Sequence, residues 1–181
     1  GVKRIITRVS EPANLRLFLI TGGTFDSGKL GDIAKALWAK ADRSVSKLAD
    51  ALWGNAISKN TSNLGVLAKA LANAGGSFDS GKLGDIAKAL WAKADRNARK
   101  LADALWNSGV MNGSHPLDLA KLLVKAGAQA GDIADAFVNK LRFGWRDVAE
   151  SLWRSGAMKG KNSLDLAKAL VAAGARAEDI A

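Results

Sequence analysis

The chain repeats a short amphipathic motif: an aliphatic residue, alanine, any residue, usually alanine, leucine, and a bulky group. Positions one, two, five and six of this motif lie along one stripe of an α-helix, as Ile33, Ala34, Leu37 and Trp38 do. Each copy is therefore predicted to form one amphipathic helix. The nine copies are IAKALW from Ile33, LADALW from Leu48, LAKALA from Leu67, IAKALW from Ile86, LADALW from Leu101, LAKLLV from Leu119, IADAFV from Ile133, VAESLW from Val148 and LAKALV from Leu166.

The spacing of the motifs groups them in threes, with periods of 53 and then 47 residues. Within the longer period, Phe25–Arg43 recurs letter for letter as Phe78–Arg96. Such self-similarity is typical of repeat architectures, in which a unit buries its apolar face against its neighbours. The sequence thus predicts an all-α protein of tandem three-helix repeats, stacked as a short α-solenoid in one continuous domain. The predicted ranges are 1–30 for an N-terminal arm with a divergent repeat helix and linker, 31–83, 84–130 and 131–177 for units one to three, and 178–181 for the start of a further unit.

Residues that commonly begin and end helices punctuate this pattern. Candidate helix starts are Asp42, Asp95 and Ser163, with Pro12 and Pro116 in first turns. Glycines expected to form left-handed caps after the third helix of a unit are Gly22, Gly75, Gly127 and Gly174. The segment 11–22 is in register with 64–75, so it is predicted to be one more third helix. Since both ends of the chain fall within a repeat, we expect it to be a piece of a longer array.

The composition favours the same fold and limits the chemistry. Apart from nineteen glycines, alanine, leucine and lysine are the commonest residues and there are only two prolines, which favours helices over strands. The chain has no cysteine, which excludes disulfides and thiolate metal sites. A formal net charge of +10 would attract polyanions or anionic lipid surfaces, and it would also keep the protein in solution. No apolar run approaches the roughly 20 residues of a membrane-spanning helix.

The outward-facing third position of the motif sorts charge by helix. Third helices carry Lys69, Lys121 and Lys168, second helices carry Asp50, Asp103 and Glu150, and first helices carry Lys35, Lys88 and Asp135. Stacked units would then present a basic row beside an acidic row. These rows either solvate their faces and pair weakly, or the basic row follows a phosphate backbone. The candidate polyanion-binding residues are Lys59, Lys69, Lys121, Lys125, Lys159, Lys161 and Lys168.

Tryptophan is concentrated at position six of the motif. The residues predicted to pack there between helices are Trp38, Trp53, Trp91, Trp106 and Trp153. The alternative is a row of partly exposed rings that stack on nucleobases or enter a lipid interface. Trp145 lies off the motif between Arg142 and Arg146, so it is the candidate contact aromatic, with a loop anchor as its other interpretation.

Two features of the sequence superficially suggest a phosphate-binding or metal-binding site. The segments GTFDSGK and GSFDSGK resemble a phosphate-binding P-loop, but leucine follows the lysine where Ser or Thr should bind Mg²⁺, and a helical pattern precedes the second copy. His115 is the single histidine, and its place before a proline favours a role in helix entry over metal binding. We therefore expect no catalytic, cofactor-binding or metal-binding residues.

These patterns favour a non-enzymatic helical scaffold that binds a protein partner or joins copies of itself end to end. The alternative is a nucleic-acid-binding repeat protein that uses the lysines of its third helices. A third hypothesis is attachment to anionic membrane surfaces through basic amphipathic helices. We expect no small-molecule substrate and no cofactor.

Overall fold

The computed structural model describes residues 27–53, 57, 63–75 and 80–180, and this part of the chain is all-helical. This confirms the predicted all-α class. The elements are α1 (Ser27–Trp38), α2 (Val45–Leu52), α3 (Leu64–Ala74), α4 (Ser80–Lys93), α5 (Ala98–Asn107), α6 (Pro116–Ala126), α7 (Ala130–Asp135), a π-helix (Ala136–Lys140) that continues α7, α8 (Trp145–Arg154), α9 (Ser163–Ala172) and α10 (Ala177–Ile180). The predicted helix at 11–22 lies outside the described residues, with Gly22 and Pro12.

Polar side chains cap the helix starts, although not always the predicted ones. Ser44 caps α2 and Asn97 caps α5, each accepting a hydrogen bond from a backbone N–H three residues later. The predicted starts Asp42 and Asp95 were wrong, because both precede the caps in a left-handed backbone conformation, at φ of 54° and 56°. Each carboxylate instead pairs with a lysine in the following helix, Lys47 and Lys100 respectively.

The third helices of units two and three begin with reciprocal capping boxes. His115 accepts a hydrogen bond from the backbone of α6, and Asp118 accepts one from the backbone N–H of His115. His115 therefore has the expected helix-entry role. Asn162 and Asp165 form the equivalent box on α9, so the cap is Asn162 and not the predicted Ser163. Each box satisfies two backbone donors that a helix start would leave without partners.

Glycines end two of these helices as predicted. Gly127 and Gly174 lie in the left-handed region at φ of 111° and 106°, where a side chain would be strained. Gly75 was predicted to do the same after α3, but its φ is −103° and it forms no left-handed cap. The predicted boundaries at 31 and 84 also fall inside helices, because α1 and α4 each begin four residues earlier.

Contacts between helices follow the order of the chain. Counting α7 and its π-helix as one, each helix from α1 to α7 packs on the next helix and on the next but one, from α1 on α3 through to α7 on α9. Buried apolar residues from Leu30 to Ala175 form one core cluster that crosses every unit boundary. A stack in sequence order, as in repeat proteins, is compatible with this contact pattern. The unit boundaries therefore do not separate independent cores.

Candidate interaction surfaces

The third-helix lysines point into solvent. Lys69 on α3, Lys121 on α6 and Lys168 on α9 are exposed, and none forms an ion pair with any described residue. Lys159 and Lys161, between α8 and α9, are also exposed and have no such pair within the described ranges. None of these five ammonium groups thus has a carboxylate partner in the part of the chain that the structure describes. Lys59 lies outside the described residues.

Lys125 differs from the other candidate lysines because its side chain lies over helix α4. Its ammonium donates a hydrogen bond to the carbonyl of Gly81 at 3.4 Å. Its stem passes so close to Gly84 that any Cβ on Gly84 would overlap it. Lys125 therefore holds α6 against α4, and this contact competes with any external anion.

The second-helix acids, in contrast, are all paired. Lys93, at the end of α4, places its ammonium 2.5 Å from the carboxylate of Asp50 on α2. Lys140, its equivalent in unit three, lies 3.4 Å from Asp103 on α5. Residues are called equivalent when they hold the same position in two units, 53 or 47 positions apart. These two pairs join consecutive units, so much of the acidic row is neutralised while the basic row is not.

Glu150 completes the set of second-helix acids, and its partner is different. Its carboxylate accepts a hydrogen bond from Arg154 at 2.5 Å, one turn later on the same helix. No lysine from another helix of the described chain reaches it. Glu150 thus has a local partner where Asp50 and Asp103 have partners from the following unit.

Asp135, in the first helix of unit three, pairs with Arg99 on α5 through both carboxylate oxygens. The hydrogen bonds from Arg99 lower the pKa of Asp135, burial opposes this shift, and the Asn139 amide at 2.9 Å lowers it further. In the preceding junction Ser46 and Lys88 are the equivalents of Arg99 and Asp135. The groove there has a cavity volume of about 330 Å³, against about 130 Å³ for the groove that Arg99 and Asp135 line.

The lysine of the second P-loop-like segment holds helices together. Lys82 lies in the first turn of α4, and of this segment only residues 80–82, all in that helix, belong to the described part of the chain. Its ammonium donates to the carbonyl of Ala72 at 3.0 Å and lies 5.4 Å from the ring centroid of Trp38. A cation over an indole face is attracted by the ring quadrupole. The group that would contact a phosphate is therefore engaged with α1 and α3.

Four of the five position-six tryptophans lie against the core. Trp38, Trp53, Trp91 and Trp106 are half-buried and pack on it. Trp153, predicted to pack in the same way, is instead 53% exposed at the end of α8. In the described part of the chain, no following unit packs against its indole ring.

Trp145, the candidate contact aromatic, is half-buried and packs against the core at the start of α8. Its equivalents are Val45 and Ala98, which are both buried. The structure therefore places Trp145 as an anchor, which was its other interpretation, and leaves Trp153 as the accessible ring. A comparison of the three unit sequences would have indicated this position.

Two further exposed apolar residues of unit three were not singled out from the sequence. Leu164 and Val171 are 60% and 56% exposed, and their spacing of seven residues puts both on one face of α9. Their equivalents Leu117 and Val124 in unit two are half-buried. We call Trp153, Leu164 and Val171 the C-terminal surface.

The described residues carry no sign of two other kinds of site. Within them, no three His, Asp or Glu side chains are grouped as metal ligands would be. None of their helices combines the length and apolar character needed to cross a membrane. Comparison with models of known protein families, with curated proteins and with solved structures found no match to this chain. Its function is therefore inferred from its own residues.

Proposed function

We propose that the protein is a non-enzymatic helical scaffold, a short α-solenoid of three-helix repeats that binds protein partners or further copies of itself. Its contact region is the C-terminal surface. Packing of each helix on the next two supports the solenoid part of this proposal. The core cluster of the described residues supports it too, because it runs through all three units.

The observation that carries the proposal is a difference between equivalent residues. Trp106, Leu117 and Val124 are half-buried in unit two, and unit three follows them. Trp153, Leu164 and Val171 hold the same positions in unit three and are each more than half exposed. Exposed large apolar side chains at positions that are covered elsewhere in the same fold mark a contact surface.

Light scattering as a function of concentration tests self-association through this surface. We expect the apparent mass of the wild-type chain to rise with concentration, and the triple variant Trp153→Ser, Leu164→Ser, Val171→Ser to stay monomeric. The matched control is Val66→Ser, which removes an exposed apolar side chain from α3, at 39% exposure, and should associate like the wild type. A strictly monomeric wild-type chain at high concentration would remove self-association from the proposal.

A second candidate function is polyanion binding, with nucleic acid as the ligand. It is favoured by the contrast between third-helix lysines, which lack ion pairs in the described chain, and second-helix acids, which all have one. Unpaired lysines repeated along a stack would neutralise successive phosphates, and the released counterions would make binding strongly dependent on salt.

A gel-shift series at increasing salt concentration tests this candidate. Affinity should fall steeply with ionic strength, and Lys121→Glu combined with Lys168→Glu should abolish the shift. The control is Lys47→Glu combined with Lys100→Glu, which changes the net charge equally but removes lysines already paired with Asp42 and Asp95. No shift at low salt would exclude nucleic acid.

A further inference from the structure

The junction between units two and three shows how a second-helix tryptophan is covered in this fold. The ring of Phe143, just after the π-helix, meets Trp106 on α5 edge to face, with centroids 5.0 Å apart at 77°. Behind it lies Phe137, which is fully buried and meets Phe143 at 5.0 Å and 83°. Such perpendicular pairs add to the stabilisation that area burial alone provides.

An ion pair accompanies this aromatic contact. Lys140 lies 3.4 Å from Asp103, and Lys140 and Phe143 are three residues apart, as are Asp103 and Trp106. Asp103 and Trp106 are surface neighbours because they lie three apart on a helix, whereas Lys140 ends the π-helix and Phe143 follows it in non-helical backbone. The covering segment therefore meets α5 with a cation and an aromatic ring, opposite an acid and an indole.

The lysine also recurs at the preceding junction. There Lys93 pairs with Asp50 on α2, and Arg96 stands at the position that Phe143 holds in unit three. A lysine opposite the second-helix acid is thus common to both described junctions, while the phenylalanine belongs to the second.

Unit three presents the same acid and indole without a cover in the described chain. Glu150 and Trp153 are the equivalents of Asp103 and Trp106, and Trp153 is 53% exposed. Glu150 is paired only with Arg154 among the described residues. A carboxylate has about four lone-pair sites, so it accepts from Arg154 and from a second cation together.

We propose that Glu150 and Trp153 bind an amphipathic segment of a partner protein in which a helix ends at a lysine and a phenylalanine follows three residues later. This inference rests on the proposed scaffold function and specifies the partner of its C-terminal surface. The lysine meets Glu150 as Lys140 meets Asp103, and the phenylalanine ring meets Trp153 as Phe143 meets Trp106. The carboxylate of Glu150 disfavours an anionic ligand at this position.

The chain itself supplies the probe. A synthetic peptide of residues 130–144, AGDIADAFVNKLRFG, is the segment that covers α5. We expect it to bind the full-length protein, measured by calorimetry up to about 1 mM peptide, since isolated helices of this length are marginal in water. The matched control is the peptide of residues 83–97, LGDIAKALWAKADRN, which has the lysine but arginine in place of phenylalanine, and should bind at least tenfold more weakly.

Variants test whether the peptide binds at Glu150 and Trp153 or instead displaces the chain's own 130–144 segment from α5. Trp153→Ala should reduce affinity for the 130–144 peptide at least tenfold, as should a Phe143→Ala change in the peptide. Glu150→Lys should weaken binding, and a peptide carrying Lys140→Glu should restore it. Because Glu150 and Trp153 are exposed, circular dichroism of the variants should match that of the wild type.

Three results would overturn the inference: no binding by the wild-type protein, equal binding by Trp153→Ala, or no rescue by the exchanged charges. The titrations are run at protein concentrations where light scattering gives a monomer. If the peptide fails but the wild type self-associates in a Trp153-dependent way, the helix ligand is wrong and the scaffold function stands. If both fail, the helix ligand and the self-association part of the scaffold proposal both fall.

Discussion

The ammonium of Lys93 lies 2.5 Å from the carboxylate of Asp50 and joins α4 to α2 across the boundary between units one and two. The two side chains are very differently placed, since that of Lys93 is 12% exposed and that of Asp50 is 67% exposed. The aliphatic stem of the lysine is therefore buried between helices while its head reaches an acid in water. A long charged side chain commonly packs in this way.

From this placement we expect Lys93 to stabilise the junction through its stem more than through its charge. Lys93→Met should lower the free energy of unfolding by less than about 1 kcal/mol, the usual range for an exposed ion pair. Lys93→Ala should cost more, because it also removes the buried methylenes. Urea unfolding followed by circular dichroism measures both.

The Asp50→Asn variant is the control, because it removes the pair and keeps the stem. Its cost should resemble that of Lys93→Met, and the double variant should show a coupling energy of the same size. Equal losses for Lys93→Met and Lys93→Ala would show that the charge dominates.

Ser151 is the one buried polar side chain of the described core whose hydroxyl has no hydrogen-bond partner there. Its equivalents in the earlier units are Ala51 and Ala104. A buried hydroxyl without a partner costs roughly 1–3 kcal/mol. We therefore expect Ser151→Ala to raise the free energy of unfolding by about 1 kcal/mol.

Ala104→Ser is the matched reverse change, because Ala104 is buried at the equivalent position. It should lower stability in the same urea assay. A loss of stability in Ser151→Ala would mean that its hydroxyl is satisfied after all, for instance by water.

Gly31 and Gly84 are equivalent residues inside α1 and α4, but they differ in how closely described side chains approach them. Among the described residues, a Cβ on Gly31 would have its nearest neighbour at 4.0 Å, the amide nitrogen of Asn73, whereas one on Gly84 would overlap Lys125. Alanine inside a helix gains about 0.5–1 kcal/mol over glycine. Gly31→Ala should show this gain in stability in thermal unfolding. Gly84→Ala should not show it, because its Cβ would overlap Lys125.

The double variant Gly84→Ala, Lys125→Ala identifies the cause of that loss. Removing the lysine stem makes room for the new Cβ, so the double variant should be more stable than Lys125→Ala alone. If Gly84→Ala is as favourable as Gly31→Ala, Lys125 moves away at little cost and does not hold α6 against α4.

The helices could be predicted from the sequence because each motif has one apolar stripe that must be buried. Their starts could not, because the apolar pattern does not distinguish Asp42, in the turn, from Ser44, which accepts the capping hydrogen bond. The repeat comparison alone could have indicated that Trp145 packs inward, since Val45 and Ala98 hold its position. The exposure of Trp153 depends on its neighbours in space, which its motif does not encode, because Trp106 ends the same motif and is half-buried.

The ion pairs between units could not be predicted from the sequence either. The motif placed Asp50 and Asp103 on an outward face, but the partners Lys93 and Lys140 are 43 and 37 residues away along the chain. Only the packing of α4 on α2, and of the π-helix on α5, brings them together. The sorting of charge by helix was therefore visible in the sequence. That the acids are paired while the described lysines of the third helices have no ion pair among the described residues could be seen only in the structure.

Asp135 and Arg99 should make the second junction sensitive to acid. The hydrogen bonds from Arg99 lower the pKa of Asp135 in the folded state, below the value of about 3.9 for an unfolded chain. A group whose pKa is lower in the folded state than in the unfolded state gives its full stabilisation at pH values above the unfolded pKa. This stabilisation is lost as the pH falls through the folded pKa. Asp135→Asn should therefore lower the urea midpoint at pH 7, and the difference from wild type should shrink below about pH 4.

Two variants check that the pair is the cause. Arg99→Gln should remove the same pH-dependent difference, because Asp135 then loses the donors that lower its pKa. Ser46→Arg combined with Lys88→Asp transplants the pair into the first junction, where the groove is open, and should add stability that disappears over the same acidic range. If the Asp135→Asn difference is constant from pH 7 to about pH 3, the carboxylate contributes by shape and not by charge. In that case the ionic interaction between Asp135 and Arg99 does not stabilise the second junction.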